Sequence, residues 1–525
     1  MRDFHFSGRS AVYAENGMCA TSHPIAAKVA LDILQAGGNA VDAAIAGAVL
    51  LGICEPQMTG LGGDCFVLLS PAGSEDVIAL NRSGRSPAGL NADDMRARGL
   101  EAVPLRGIEA VTMPGAVDAF CRLSQDWGRL GLDQCLAPAI HYAERGIPVA
   151  PRVAFDWQDD EKDLKGCARE FYLLGGKSPT VGQKFRAPGQ AEVLRRVARE
   201  GRAGFYEGEV AQDLISSLAA LGGSHTFDDL SGTACTYTDP VAGTYQGVEL
   251  LEHPPNGQGA TAILMLNILK HFDMAAVDPV GAMRVHIEAE AAKLAYDARN
   301  RIIADPDQTT RLQHMLAPVT AAQLATLIRT DAVLPAAVPG AEAVHKDTVY
   351  ITVVDRDRMA VSLIYSIFWG FGTGIASEKF GILFQNRGAG FTLTKGHPNE
   401  AGDGKRPMHT IIPGMIRQNG RVTMPFGVMG GGYQPAGHAR FVSNITDFGM
   451  DPQQAIDLPR SFGDRTVLKI ERGYSQETRA SLAEMGHQIE IPREPLGGGQ
   501  AILIGEDGVL VGGSDPRKDG CALGY

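Results

Sequence analysis

The chain has 525 residues, 44% hydrophobic and 21% charged, a balance that excludes a disulfide-stapled miniprotein and wholesale disorder and leaves about two to four packing units or one large layered domain. Its net charge of −12, from 48 Lys+Arg against 60 Asp+Glu, argues against a surface made to cover nucleic-acid phosphates or an anionic membrane, and for a small-molecule partner. Glycine is abundant, 64 residues, without a three-residue period, so collagen fails and many tight turns remain.

The N-terminal run MRDFHFSGRS lacks the apolar core of a signal peptide, and the longest apolar stretch, 43–54, is too short to cross a bilayer. A cytoplasmic protein with no membrane partner is expected. The eight cysteines show no C-x-x-C pair and read as reduced, buried thiols. Residues 24–35 predict a helix with Pro24 in its first turn, stopped by Gly37-Gly38; Asn39 then caps a second, buried helix of small residues over 40–51. Further helices are predicted over 190–199, 210–221, 260–269 and 280–302. The last carries His286 and Glu290 one turn apart, but with no third ligand evident in the sequence this pair reads as surface or structural, and no metal or cofactor is expected.

Residues 316–346, broken by Pro318, Pro335 and Pro339, read as a mobile or extended connector. Beyond them the texture turns to strands. TVYITVVD and MAVSLIYS, joined by Arg356-Asp357-Arg358, predict a β-hairpin, and QAILIG with VLVGGS around Glu506-Asp507-Gly508 predicts another. A helix-rich first two thirds and a strand-rich last third follow.

No P-loop, dinucleotide fingerprint, H-E-x-x-H or G-x-S-x-G is present. The nucleophile candidate is Thr348, which opens the first strong strand. Inside a chain nothing in HKDTVY supplies it with a base. Scission of the Asp347-Thr348 bond would create an α-amino group of pKa near ~8, able to act as general base for its own hydroxyl. Position alone favours an ordinary strand threonine.

The wider context does. LQAGGNAVDAAIA, EPQMTGLGGDCFVLL, TMPGAVDAF, GRAGFYEGEVA, HPPNGQG, EAEAAKLAYDARNR, DTVYITVVD, FGTGI, KRPMHT, MGGG and GGSDPRKDGCALGY occur in this order, and together they resemble the γ-glutamyltransferase family of N-terminal-nucleophile hydrolases along nearly the whole chain. The resemblance implies an α+β fold, an αββα four-layer sandwich built jointly by two fragments of one self-cleaved chain: a large subunit, 1–347, and a small subunit, 348–525, beginning with Thr348. It also implies Ser366 as a second hydroxyl supporting the nucleophile, and the backbone N–H groups of Gly430 and Gly431 as an oxyanion hole. Two processed copies could pair as a homodimer.

The departures bear on substrate. Where glutamyl-recognising members carry an arginine, an asparagine, a Gln, an Asp and a Ser-Ser pair, this chain has Ser83, Phe368, Arg387, Gly390, His409 and Thr410. Loss of an acid at Gly390 removes a partner for a substrate ammonium, and Arg387 adds a cation. The pattern is similar to the branch that includes oxamate amidohydrolase of purine-nitrogen catabolism. It implies hydrolysis of a small carboxylated amide through an acyl-enzyme on Thr348, with Arg387 first and Arg85 second as the carboxylate-binding arginine, and His409 and Thr410 beside them. His409 also reads as a packed core histidine, and Arg387 as one member of a structural ion network. The alternatives are a γ-glutamyl hydrolase or transferase, a cephalosporin-type acylase favoured by a larger apolar pocket at Phe368 and Trp369, and an unprocessed, non-catalytic binding homologue.

Overall fold

The computed structural model describes residue 5 and residues 8–334, 348–464 and 467–525. Pro24 opens helix α1 (Pro24–Gln35), and the His23 side chain caps it by accepting from the Ile25 N–H at 3.3 Å. Gly37 then takes φ +98°, a conformation that costs glycine little, and ends the helix. Helix α2 (Ala40–Cys54) starts with a reciprocal cap. Asn39 accepts from Val41 and Asp42, and the Asp42 carboxylate accepts from the Asn39 N–H. Every residue of α2 is buried, which its alanine- and glycine-rich surface permits by allowing close approach.

In chain order the strands β1 (Val12–Ala14), β2 (Met18–Thr21), β3 (Asp64–Ser70), β4 (Ile78–Arg82), β5 (Thr236–Thr238), β6 (Val241–Tyr245), β7 (Val248–Glu252), β8 (Val349–Val354), β9 (Ala360–Ser366), β10 (Gly414–Gln418), β11 (Arg421–Met429), β12 (Gly498–Ile504), β13 (Leu510–Ser514) and β14 (Cys521–Gly524) form two seven-stranded sheets. One runs β14-β2-β8-β9-β3-β4-β5 and the other β1-β13-β12-β11-β10-β7-β6. Strand β8 shows how they stack. Val349, Ile351 and Val353 face the core beneath α1 and α2, whereas Tyr350 and Val354 point between the sheets, as a period of two requires. Met18, Ala20 and Leu68 of the first sheet meet Leu251, Met415 and Ile502 of the second. The outer face of the second sheet is covered by α3 (Gly259–Leu269), α4 (Ala282–Ile302) and α5 (Gln434–Thr446) around Ile416, Phe426 and Val428. The result is the expected α+β arrangement, helices, sheet, sheet, helices.

Both predicted hairpins are present as β8–β9 and β12–β13. Two expectations are corrected. The 316–346 stretch is helical at Pro318–Ala325, with Ala321, Ala325 and Ile328 packed into the α3–α4 core; Pro318 occupies a first turn, where its missing N–H goes unused. Residues 335–347 lie outside the described residues. The first two thirds are helix-rich as expected and in addition supply β1 to β7, strands unread because runs such as DCFVLLS are buried on both faces and carry no alternation. Of the eight free cysteines, Cys167, Cys235 and Cys521 are only partly buried, so not every thiol is a core thiol. Among the described residues no helix is long and apolar enough to cross a membrane.

Candidate active site

Thr348 immediately precedes β8, and Ser366 closes β9. With Val349 paired to Tyr365, the two hydroxyl residues face each other at the open end of the hairpin. Both are fully buried, and Thr348 Oγ1 lies 3.4 Å from Ser366 Oγ. The Ser366 oxygen also accepts from the Phe368 N–H at 2.9 Å, which fixes it toward the threonine.

Phe368 adopts φ +81°, a left-handed conformation that costs an aromatic residue about 1–3 kcal/mol. Its ring lies 4.0 Å from the guanidinium carbon of Arg387, a cation–π contact in a desolvated setting. Arg387 is fully buried in a 3-10 turn, Arg387–Gly390, and donates from Nη1 to Thr410 Oγ1 at 2.8 Å. Thr348, Ser366, Phe368, Arg387 and Thr410 therefore form one chain of direct contacts.

On the other edge of β9, Ser366 pairs in register with Asp64, the first residue of β3. The Asp64 carboxylate accepts from the Gly84 N–H and Gln385 Nε2 at 2.8 Å each, and lies 3.0 Å from His409 Nε2. Burial pushes its carboxyl up to about 6, against the opposing pull of Arg387, Gln385, Gly84 and Arg82. His409 Nδ1 accepts from the Ile411 N–H, which assigns the proton to Nε2, facing the carboxylate. The imidazole also packs on Phe66, 4.7 Å between ring centres, so it is both a core residue and a partner of the site's acid.

The remaining candidates divide. Arg85 lies apart from this chain of contacts: its side chain, 34% exposed, reaches Asp305 at 3.4 Å and the Gly404 carbonyl at 2.7 Å. Gly430 (φ +121°) and Gly431 (φ +53°) turn the chain directly after β11. A Cβ on Gly430 would come 3.0 Å from the Gly497 Cα. Among the described residues neither glycine N–H donates a hydrogen bond, while the Gly431 carbonyl is held by Gln258 Nε2 at 2.9 Å. Asp64 and Gln385 were missed by sequence reasoning. The available signal was a lone acid heading the otherwise apolar strand DCFVLLS, since such a group is buried only with partners.

A family described as Gamma-glutamyltranspeptidase matches residues 26–525. Among curated relatives, the chain is 36% identical over 523 residues to the glutathione hydrolase-like YwrD proenzyme of Bacillus subtilis (strain 168), covering 97% of this chain and 98% of that one. It is 35% identical over 529 residues to the oxamate amidohydrolase proenzyme of Klebsiella pneumoniae, with the same coverages. Among solved structures it is similar to a cephalosporin acylase from Bacillus halodurans, with a TM-score of 0.93 and 36% identity over 100% of this chain and 98% of that one.

Proposed function

Because the chain belongs to the gamma-glutamyltranspeptidase family, whose relatives here are proenzymes hydrolysing amide bonds, we propose that it cleaves itself before Thr348 and then hydrolyses a small carboxylated amide, oxamate first among them. The observation that carries this reading is the buried chain of contacts from Thr348 through Ser366 and Phe368 to Arg387. In that chain two residues, Ser366 and Phe368, lie between the attacking oxygen and a buried cation. The 35% identity to an oxamate amidohydrolase supports it.

In this reading the freed α-amino group of Thr348 takes the proton from its own Oγ1 as that oxygen attacks the amide carbonyl. The developing oxyanion is received by the N–H groups of Gly430 and Gly431. The protonated amine hands its proton to the leaving nitrogen, ammonia departs, and an acyl ester on Thr348 remains. Water, activated by the same amine, then releases the acid. Arg387 holds the carboxylate beside the scissile carbonyl, which supplies orientation as well as charge. A second reading, an acylase for a bulkier acyl group, is favoured by the cephalosporin acylase likeness and by Phe368 and Trp369 at the same turn.

Ammonia release from oxamate, from a neutral amide of similar size and from γ-glutamyl amides, and release of the acyl group from a cephalosporin-type substrate, separate these readings. Oxamate should be the preferred substrate, and Arg387→Gln should lower its kcat/KM by about 2–4 kcal/mol, with a smaller loss on the neutral amide and self-cleavage retained. Wild-type preference for γ-glutamyl or cephalosporin substrates, or an Arg387→Gln enzyme that handles oxamate normally, would refute the assignment.

A further inference from the structure

Helix α4 carries His286 and Glu290 on one face, where the sequence shows no third ligand. The fold supplies one. His487 follows helix α6 (Gln476–Glu484), after Gly486 at φ +100°, and its Nε2 lies 2.8 Å from His286 Nδ1. His286 and Glu290 are fully buried and His487 is 8% exposed. One ligand atom from each residue falls within 4.8 Å of the others. The pair is neither a surface feature nor a plain core histidine.

The second nitrogen of His286 decides the chemistry. Nε2 is 2.6 Å from the Arg329 carbonyl, and a carbonyl only accepts, so Nε2 carries the proton and Nδ1 presents a lone pair toward His487. An imidazole whose far N–H is held by a backbone carbonyl is oriented as a metal-bound imidazole is. Glu290 adds an anionic oxygen one helical turn along. Two imidazoles and a carboxylate are a borderline donor set that suits zinc-type ions rather than calcium or magnesium.

We propose that His286, Glu290 and His487 bind one divalent transition-metal ion of the zinc type, outside the Thr348 site. Bonds of ~2.0–2.1 Å in tetrahedral geometry need the two nitrogens about 3.3 Å apart, so the rings part by roughly half an ångström and His487 shifts its proton to Nδ1. Water takes the fourth position. The competitor is Lys293, whose Nζ is 2.6 Å from Glu290 Oε1. It is 28% exposed against 0% for the glutamate and withdraws to solvent at small cost. The same residues hold residues 329–334: Arg329 through His286, and Leu334, whose N–H donates to Glu290 Oε2 at 2.6 Å. The ion would therefore clamp residues 329–334 onto α4.

The test is titration of untagged, chelator-stripped enzyme with zinc by calorimetry, with cobalt as a spectroscopic probe and melting as the readout of the clamp. One zinc per chain, visible cobalt bands, and a zinc-dependent rise in melting temperature are expected in the wild type. His487→Ala and Glu290→Gln should weaken binding about tenfold or more and abolish the melting shift. Lys293→Ala, a partly exposed position, should tighten binding several-fold. Absence of stoichiometric binding, its persistence in the His286→Ala/His487→Ala double variant, or weaker binding in Lys293→Ala would each overturn the proposal.

Discussion

Thr348 is buried at a hairpin end where its hydroxyl meets that of Ser366, and in the proposed mechanism its base is its own amine after scission. Thr348→Ala should therefore run as a single band on a denaturing gel and release no ammonia, while the wild type gives two bands; cleavage of the alanine variant would sink the N-terminal-nucleophile reading. Asp64 carries a second, independent signature. Its carboxyl is raised from an ordinary 3.8 to about 6 by burial, so the folded chain holds the proton more tightly than the unfolded one. The stability this contributes is complete below about pH 4 and is lost as pH rises through 6. Asp64→Asn should accordingly gain in melting temperature relative to wild type as pH rises from about 4 to 7. A difference that stays constant across that range would show that Asp64 does not titrate there.

At the scale of elements, the site depends on how closely β3 approaches β9. Gly63 precedes β3, and a Cβ there would lie 2.4 Å from the Ser366 carbonyl oxygen, a backbone atom that cannot swing aside. Gly63→Ala should cost about 1–3 kcal/mol of stability and slow self-cleavage by displacing the strand end that carries Ser366. Cleavage at the wild-type rate, followed on gels over time, would mean the turn yields without moving Ser366. The β8–β9 hairpin was legible because alternating β-branched residues and a polar turn are local signals. Strand β3 was not, because apolar side chains on both its faces erase the alternation, and with it went Asp64 and its pairing with His409, 345 positions away.

At the scale of the molecule, strands from either side of residue 348 interleave in both sheets: β2 and β3 flank the β8–β9 hairpin, and β7 pairs with β10. A scission before Thr348 would leave two fragments sharing both sheets and the layer between them. The two bands of processed enzyme should co-elute as one species under native conditions and separate only in denaturant. A fragment of residues 348–525 expressed alone should lack cooperative melting, since the β8–β9 hairpin would lose its flanking strands β2 and β3. Independent folding of that fragment would contradict a jointly built sandwich.

The sequence by itself determined the helices with strong caps, both hairpins, the nucleophile candidate and its neighbours in the strand, and the family resemblance that the comparisons then bore out. Each rests on residues close along the chain or on motifs in a set order. Only the tertiary structure decided the rest, because it concerns groups far apart in sequence. It brought Asp64 to His409 and stacked Arg387 on Phe368 beside Ser366. It took Arg85 away to Asp305, and it set His487 against His286. Burial is a property of the assembled layers, and it is burial that raises the Asp64 carboxyl and turns scattered polar residues into sites.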